Sequence, residues 1–345
     1  MKKVMIAMSG GVDSSVAAHL LLKSNMSLCG ATLHLTGMPT SDAKAAADRL
    51  GISFYAFDER ESFRKTVIQD FIDSYERGET PNPCIVCNEK IKFGLLLNKA
   101  IELGCDGVAT GHYAKLSYDS GSGRTLLLRA KDAAKDQTYM LYRLSQEQLA
   151  RSVFPLGDLT KAEIREIAMD IGLPNAQKPD SQDICFVPDG DYGAVLELLK
   201  GAAYPDGDFV DETGKVLGHH KGLIRYTVGQ RKGLGIALGA PAFVLSKNAE
   251  KNQVVLGSEA GLFSNRVYAR DVNWIAIDDV TDGMEVTAKI RYSQKETKAK
   301  LYKTEDGVLA EFTEPQRAAA PGQSMVFYDG EVVVGGGYIK GGDSR

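Results

Sequence analysis

The chain has 345 residues, 43% of them hydrophobic and 25% charged, with a net charge of −4. That length exceeds one ordinary core and predicts two or three domains, while the composition excludes a disordered or fibrous chain. No apolar run approaches the roughly 18 residues of a membrane helix, and the acidic balance excludes a global positive field, so any nucleic-acid contact must use local basic patches.

Lys2 and Lys3 precede an apolar run that Ser9, Gly10 and Gly11 cut too short for a signal peptide, so a cytoplasmic protein without membrane contact is expected. Residues 3–8 read as a strand and 14–23 as a helix with Val16, Ala17, Leu20 and Leu21 at helical spacing. Strand 28–33, helix 42–50, strand 54–57 and helix 61–77 follow, the last with Phe63, Val67, Phe71 and Tyr75 on one face. Helix 88–102 leads into strand 107–110, and this alternation predicts βαβ units with a parallel sheet. A hairpin is expected from 113–118 and 126–130, and Thr160 with Glu163 has capping-box spacing. From Gly201 onward glycines and short β-branched strands take over, at 267–268, 286–291, 324–328 and 332–334. The expected fold class is α/β: a parallel-sheet domain over 1–200, a small β-rich domain over 201–265 and a β-barrel-like domain over 266–345.

Between the first strand and helix stands Met8-Ser9-Gly10-Gly11-Val12-Asp13-Ser14-Ser15. Its glycines let the backbone approach a ligand, and free N–H groups at a helix start, with the macrodipole behind them, form an anion site. Asp13 is placed to orient Mg2+ or to cap the helix. A plain glycine turn with an Asp or Ser cap is the weaker reading in this position. The loop lacks the GxxxxGK[ST] pattern of a Walker loop. It resembles the SGGxDS loop of the ATP-pyrophosphatases, whose members cleave ATP to AMP and pyrophosphate by adenylating a substrate oxygen. A second cluster, Gly233 to Gly239, misses the dinucleotide spacing by one residue, has no helix after it and reads as a structural turn.

Five cysteines without a secretory signal argue against a disulfide framework. Thr80-Pro81-Asn82-Pro83-Cys84-Ile85-Val86-Cys87-Asn88 puts a Cys-x-x-Cys at a helix start, where a Cys87 thiolate is expected to be stabilised. Cys185 lies in Asp180-Ser181-Gln182-Asp183-Ile184-Cys185-Phe186, and Cys29 and Cys105 read as plain buried thiols. A lone CxxC also suits half a zinc site or a redox pair, but no second CxxC or spaced His pair is visible. Three cysteines beside an ATP-activation loop point to thiol chemistry on an adenylated substrate.

At this point the sequence resembles one family along nearly its whole length, the tRNA-specific 2-thiouridylases of the MnmA type. The resemblance is carried by the SGGVDSS loop, Asn82–Cys87 continuing into Asn88-Glu89-Lys90-Ile91-Lys92-Phe93, Gly111-His112-Tyr113-Ala114 and Lys135-Asp136-Gln137-Thr138-Tyr139. It continues through Asp183-Ile184-Cys185-Phe186, Tyr226-Thr227-Val228-Gly229-Gln230-Arg231-Lys232-Gly233, Pro321-Gly322-Gln323 and Phe327-Tyr328-Asp329-Gly330. It implies a PP-loop ATP-pyrophosphatase domain at the N-terminus and an ATP-dependent sulfurtransferase acting on tRNA. ATP adenylates C2 of the wobble uridine, a persulfide on Cys185 supplies sulfur with help from Cys87, and 2-thiouridine, AMP and pyrophosphate result. The resemblance assigns ATP contacts to Ala7, Met8, Ser9, Gly10, Gly11, Val12, Asp13, Ser14, Leu33 and Gly111. It assigns tRNA contacts to Asn82, Pro83, Cys84, Lys135, Asp136, Gln137, Arg291 and Tyr292, and implies Mg2+ and a sulfur-donor protein or sulfide source.

Two basic stretches, Lys289 to Lys303 and Lys221 to Lys232, suit an RNA partner, although each alone also reads as a solvated strand. The sequence departs from the family where many members carry aspartate in place of Cys84. Cys84, Cys87 and Cys185 therefore match the three iron ligands of a [4Fe–4S] cluster in related thiolases, and the cluster and persulfide routes stay open together. Two rival readings remain. Another adenylating enzyme of the superfamily would lack the paired cysteines, and an RNA-binding zinc protein would not need the intact loop.

Overall fold

The computed structural model describes residues 1–37, 39–173, 184–187, 190–237 and 239–342. In β1 (Lys3–Ala7), Val4, Met5 and Ile6 are completely buried, as a strand covered on both faces requires. It pairs in parallel with β2 (Ser27–His34), which pairs with β3 (Ser53–Asp58), and on its other side with β4 (Gly107–Ala109). The chain then leaves the sheet for a hairpin, β5 (Lys115–Asp119) and β6 (Arg124–Leu128), and returns as β7 (Ser152–Val153) beside β4. The sheet order is β3-β2-β1-β4-β7, the parallel arrangement expected.

The helices on this sheet follow their end signals. α1 (Val12–Lys23) begins directly after the glycine loop, and α2 (Ser41–Leu50) stops at Gly51 in the left-handed region, φ 68°. α3 runs through Arg60–Phe63, a π-helical stretch Arg64–Ile68 and Gln69–Glu76, and buries Phe63, Val67, Phe71 and Tyr75 as expected. α4 runs through Pro83–Val86, the π-helical stretch Cys87–Leu95 and Leu96–Glu102. It therefore starts at Pro83 rather than at the expected Asn88. The Cys84 N–H donates to Asn82 Oδ1 at 3.2 Å, so Asn82 is the cap and Pro83 fills the first helical position, where a missing N–H costs nothing. α5 (Lys161–Asp170) carries the expected capping box, with both arms between Thr160 and Glu163 formed. No described helix is long and apolar enough to cross a membrane.

Past residue 200 the structure is β-rich, as expected. β8 (Gly207–Val210), β9 (Val216–His220), β10 (Phe243–Asn248) and β11 (Gln253–Gly257) form a sheet of order β10-β11-β8-β9. The last strands are β12 (Phe263–Trp274), β13 (Met284–Lys289), β14 (Thr297–Thr304), β15 (Gly307–Arg317), β16 (Ser324–Asp329) and β17 (Val332–Gly342). β12 pairs with both β15 and β17, which closes β12-β15-β14-β13-β16-β17 into a barrel. Closure removes the open edges that strands of this length would otherwise present. Val267, Ala288, Leu301, Ala310, Met325 and Phe327 fill its interior.

The hairpin from the N-terminal half does not stay with its own sheet. β6 pairs with β17 at Leu128 and Val332, and Leu127 shares a core with Tyr328 and Val333. Arg124 clamps this junction: Nε donates to the Ile275 carbonyl at 2.7 Å, Nη2 to the Trp274 carbonyl at 3.0 Å and Nη1 to Asp278 Oδ1 at 2.6 Å. Charge-assisted hydrogen bonds that are largely shielded from water contribute more than exposed ones. Arg124→Met is therefore expected to lower stability by about 2 kcal/mol in urea unfolding. A variant as stable as the parent would mean that strand pairing alone holds the hairpin.

Candidate functional site

The glycine loop is built on close approach. Gly10 has φ +74°, and a Cβ there would stand 2.5 Å from Asp42 Cβ and 2.8 Å from Ala43 N, so the start of α2 packs against bare backbone. On the opposite side a Cβ at Gly111 would meet Ser14 N at 2.9 Å, which seats the turn after β4 on the first turn of α1. The N–H groups of that turn have no acceptor inside the helix, and the cap residue, Gly11, offers no side chain to satisfy them. Ser14 Oγ accepts from Ser9 N–H at 3.2 Å and donates to the Gly11 carbonyl at 3.2 Å, holding the loop in shape. Met8 N–H donates to the Ala31 carbonyl at 2.7 Å. Leu33 on β2 packs on the cluster around Phe63 and Cys87, so the nucleotide sheet and the cysteine helix share a wall.

Asp13 does not cap α1. Its Oδ1 accepts from Tyr113 Oη at 2.9 Å and from Lys161 Nζ at 2.7 Å. Lys161 is a residue that the sequence reading missed; it opens α5 and carries its positive charge to the mouth of the glycine loop. Only the Thr160–Glu163 cap pointed toward it, because nothing in sequence spacing connects residue 161 with residue 13.

The cysteines divide into two groups. Cys29 and Cys105 are buried as expected, and their Sγ atoms lie 3.6 Å apart, a contact that the sequence did not suggest. Burial, followed by the hydrogen bond with Cys105, pushes the Cys29 thiol up to about 12. Cys84 is half-buried, Cys87 buried and Cys185 exposed, and the last two meet through Phe186. Its ring packs edge-on against Phe63 and Phe71, with centroids 5.8 and 5.3 Å apart, and joins the cluster that holds Cys87. Residues 180–183 of the Cys185 motif lie outside the described residues.

The expectation of a stabilised Cys87 thiolate is overturned. Burial pushes its thiol up to about 11, and nearby Cys185 and Cys84 add to the shift against the opposing charge of Lys92. Desolvation also raises Cys84 and Cys185, and Lys92 opposes the shift at both. A buried sulfur thus outweighs the field of a helix start. Lys92 is the second residue missed by the sequence reading. In the π-helical stretch, where each turn closes on the fifth residue, it comes one turn after Cys87.

Three family profiles tile the chain: a tRNA methyl transferase HUP domain over residues 2–189, a tRNA methyl transferase PRC-barrel domain over 197–258 and an aminomethyltransferase beta-barrel domain over 264–339. A tRNA-specific 2-thiouridylase MnmA from Acetivibrio thermocellus is 49% identical over 356 residues, covering 98% of this chain and 99% of that protein. The chain belongs to the MnmA family of tRNA-specific 2-thiouridylases. The MnmA of Clostridioides difficile is 47% identical, covering 98% of each chain. Among solved structures the likeness is slight: a 4-thiouridine synthetase in complex with RNA and bound ATP covers 58% of this chain and 50% of that one at 18% identity, with a TM-score of 0.36.

In this MnmA-family chain the residues matched to tRNA contacts come together from distant segments. Tyr292 Oη donates to the Asp136 carbonyl at 3.3 Å, which joins 135–137 to 291–292. Tyr113 N–H donates to Gln137 Oε1 at 3.0 Å, and the buried Asp136 carboxylate accepts from Ala130 N–H at 2.8 Å, so both side chains serve the fold. Arg291, read from sequence as a phosphate partner, directs Nη2 to the Val228 and Ala318 carbonyls, each at 3.0 Å. The basic stretches are partly neutralised: Lys300 pairs with Glu285, Lys303 with Asp279 and Arg225 with Glu197. Tyr292, 40% exposed, keeps a face for stacking. An open depression of about 640 Å³, lined by Glu89, Lys90, Lys99 and Arg143 among others, holds none of these residues.

The three cysteines were also matched to iron ligands. Among the described residues no three His, Cys, Asp or Glu side chains stand at metal-ligating spacing. The three thiols nonetheless lie near enough to act on one another's ionisation.

The raised Cys87 thiol has a sign that can be checked. An unfolded chain ionises this thiol near 9.0 and the folded one near about 11, so above pH 9 the unfolded state gains charge first. Stability should fall by about 2–3 kcal/mol across that window, and iodoacetamide labelling of Cys87, followed by mass spectrometry, should accelerate through it. Rapid labelling already complete at pH 7 would contradict the burial argument.

Proposed function

We propose that this protein is an ATP-dependent tRNA-uridine 2-sulfurtransferase, replacing the C2 oxygen of the wobble uridine at position 34 with sulfur. The observation that carries this reading is the common wall, built by Leu33, Phe63, Cys87 and Phe186, between an anion-binding helix start and two cysteines. In this reading the α1 amides and the loop from Ala7 to Ser14, with Gly111, hold the ATP phosphates. Lys161 neutralises the leaving pyrophosphate. Tyr113 and Lys161 both contact Asp13 at Oδ1, and Asp13 is the residue that would hold Mg2+, which would supply charge neutralisation there.

The uridine O2 attacks the α-phosphorus and pyrophosphate leaves. The terminal sulfur of a Cys185 persulfide attacks C2, and AMP departs with the former O2. The Cys87 thiolate then attacks Cys185 Sγ; their disulfide forms and the sulfur stays on the base as a thiocarbonyl. External thiols reduce the disulfide and are themselves oxidised, and a persulfide on a sulfur-donor protein then passes its outer sulfur to the Cys185 thiolate, leaving the donor as a thiol. Lys92 favours the anionic sulfur at each stage, since a cation in a low-dielectric site acts more strongly than in water. The persulfide route is preferred as the working reading because Cys185 is exposed for loading while Cys87 lies near it in a buried wall. The target base must leave its stack to be reached, and Tyr292 offers it or a neighbour a ring to stack on. We take the working units to be 1–200, 201–265 and 266–345, acting in the cytoplasm.

The test is purification without oxygen, metal analysis and a tRNA thiolation assay on the same sample. Protein free of iron and zinc, assayed with ATP and Mg2+, is expected to thiolate tRNA, and Cys185→Ser is expected to lose about a thousandfold in rate while still binding ATP. Wild-type thiolation by Cys185→Ser would sink the assignment. About four irons per chain, lost together with activity in Cys84→Ala, would replace the persulfide route by the cluster.

A further inference from the structure

The Pro321-Gly322-Gln323 turn of the barrel has no part in the chemistry above, yet it touches the chain immediately ahead of the cysteine helix. Thr80 N–H donates to the Pro321 carbonyl at 2.8 Å, and Gln323 Nε2 donates to the Thr80 carbonyl at 2.6 Å. Gly322 has φ +85°, and a Cβ there would lie 2.8 Å from Glu79 Cβ and 3.0 Å from Thr80 N. The barrel turn is therefore pressed against residues 79–80 with no room for a side chain.

Glu79 draws in the other elements. Its Oε1 accepts from Arg270 of β12 at 2.7 Å and its Oε2 from Arg77 at 2.9 Å, with the side chain 15% exposed. Its carbonyl accepts from Lys247 Nζ of β10 at 3.2 Å, and that ammonium sits 5.5 Å above the Tyr75 ring. A Cβ at Gly78, φ +78°, would meet Lys247 Cβ at 3.5 Å and Leu223 at 3.6 Å. The end of α3, the central sheet and the barrel thus converge on two residues. Two positions later Asn82 caps α4, and Cys84 and Cys87 follow in its first turns.

We propose that Glu79 and Thr80 form a latch through which the central sheet and the barrel together fix the start of the cysteine helix, making Glu79 a positioning residue for Cys84 and Cys87. The capping residue Asn82 offers only Oδ1 to the Cys84 N–H and an Nδ2 donor to Met140 Sδ at 3.4 Å. A three-residue lead of Pro81, Asn82 and Pro83 is stiff, so displacement at Glu79 passes to Cys84 rather than being absorbed. The two β units become part of the sulfur site without supplying a reacting atom. The proposal rests on the sulfurtransferase reading for its consequence in catalysis, but the latch itself is measurable without turnover.

The experiment uses the full chain and two readouts. The first is hydrogen exchange of the amides of residues 80–91 together with iodoacetamide labelling of Cys87. Glu79→Ala and Arg270→Ala are each expected to speed labelling by about tenfold, and the double variant should be no faster than the faster single one, because both act through one contact. Gln323→Ala, which leaves the ion pair intact, should loosen the same amides and keeps the test informative if Glu79→Ala does not fold. The second readout is single-turnover tRNA thiolation beside ATP binding: the rate should fall by about ten- to a hundredfold with ATP affinity unchanged. Unaltered exchange and labelling in the folded variants would overturn the latch, as would effects of Glu79→Ala and Arg270→Ala that simply add. Altered labelling with no thiolation by the wild-type protein would support the latch and reject the sulfurtransferase reading.

Discussion

Taking a thiol out of water raises the cost of ionising it, and around Cys87 that cost is opposed chiefly by the ammonium of Lys92. The balance explains why α4 is built as it is. A buried sulfur must sit on a rigid element, so the helix is capped by Asn82, opened by Pro83 and packed through Ile85 and Ile91, both almost completely buried. A regular α-helix would carry residue 92 well round from residue 87. The π-helical stretch brings it back to the same side. Extra turns of this kind are less stable than α-helix, and they occur where a side chain has to be re-aimed.

The rest of the molecule serves to hold this helix beside the nucleotide loop. The sheet and α1 place the loop, while residues far along the chain place the helix. The hairpin that leaves the sheet after β4 ties the two halves, because β6 is completed by β17 and Arg124 reaches into the turn after β12. Arg291 joins Val228 to Ala318, a residue at φ 56°, and Tyr292 reaches Asp136. Motifs spread over the chain thus meet at a few backbone carbonyls. Two of the donors of Arg291 are thus spent on backbone carbonyls inside the protein.

The alternation of strands and helices, the glycine loop, the capping box at Thr160 and the change of texture near residue 200 were legible because each is set by neighbours in sequence. The start of α4 was misplaced because Asn82-Pro83 reads equally as a stiff approach and as a cap with proline behind it; only the 3.2 Å bond from Cys84 N–H decides. Of the two readings of Asp13 only the cap falls away, for the same reason in reverse, since a carboxylate near a helix start looks like a cap until a lysine 148 positions away takes it. Barrel closure through β12 and β17, the Cys29–Cys105 contact and the pairing of Lys300 and Lys303 with carboxylates are long-range facts. No local spacing encodes them.

The different exposure of Cys87 and Cys185 has a chemical consequence on the proposed reading. A sulfur that must be reloaded from a partner has to be reachable, and Cys185 is exposed. A sulfur that must wait until the base carries the adenylate is better kept as an unreactive thiol, and Cys87 is buried with its ionisation disfavoured. Were both thiols exposed and acidic, a Cys185 persulfide would be attacked by Cys87 as soon as it formed, and the sulfur would be lost as sulfide before any tRNA arrived. Burial of Cys87 slows that side reaction, and the charge of Lys92 opposes the cost of forming the thiolate. The high thiol pKa, which first looks like a handicap for a nucleophile, is thus what allows two cysteines to share one site and act in order.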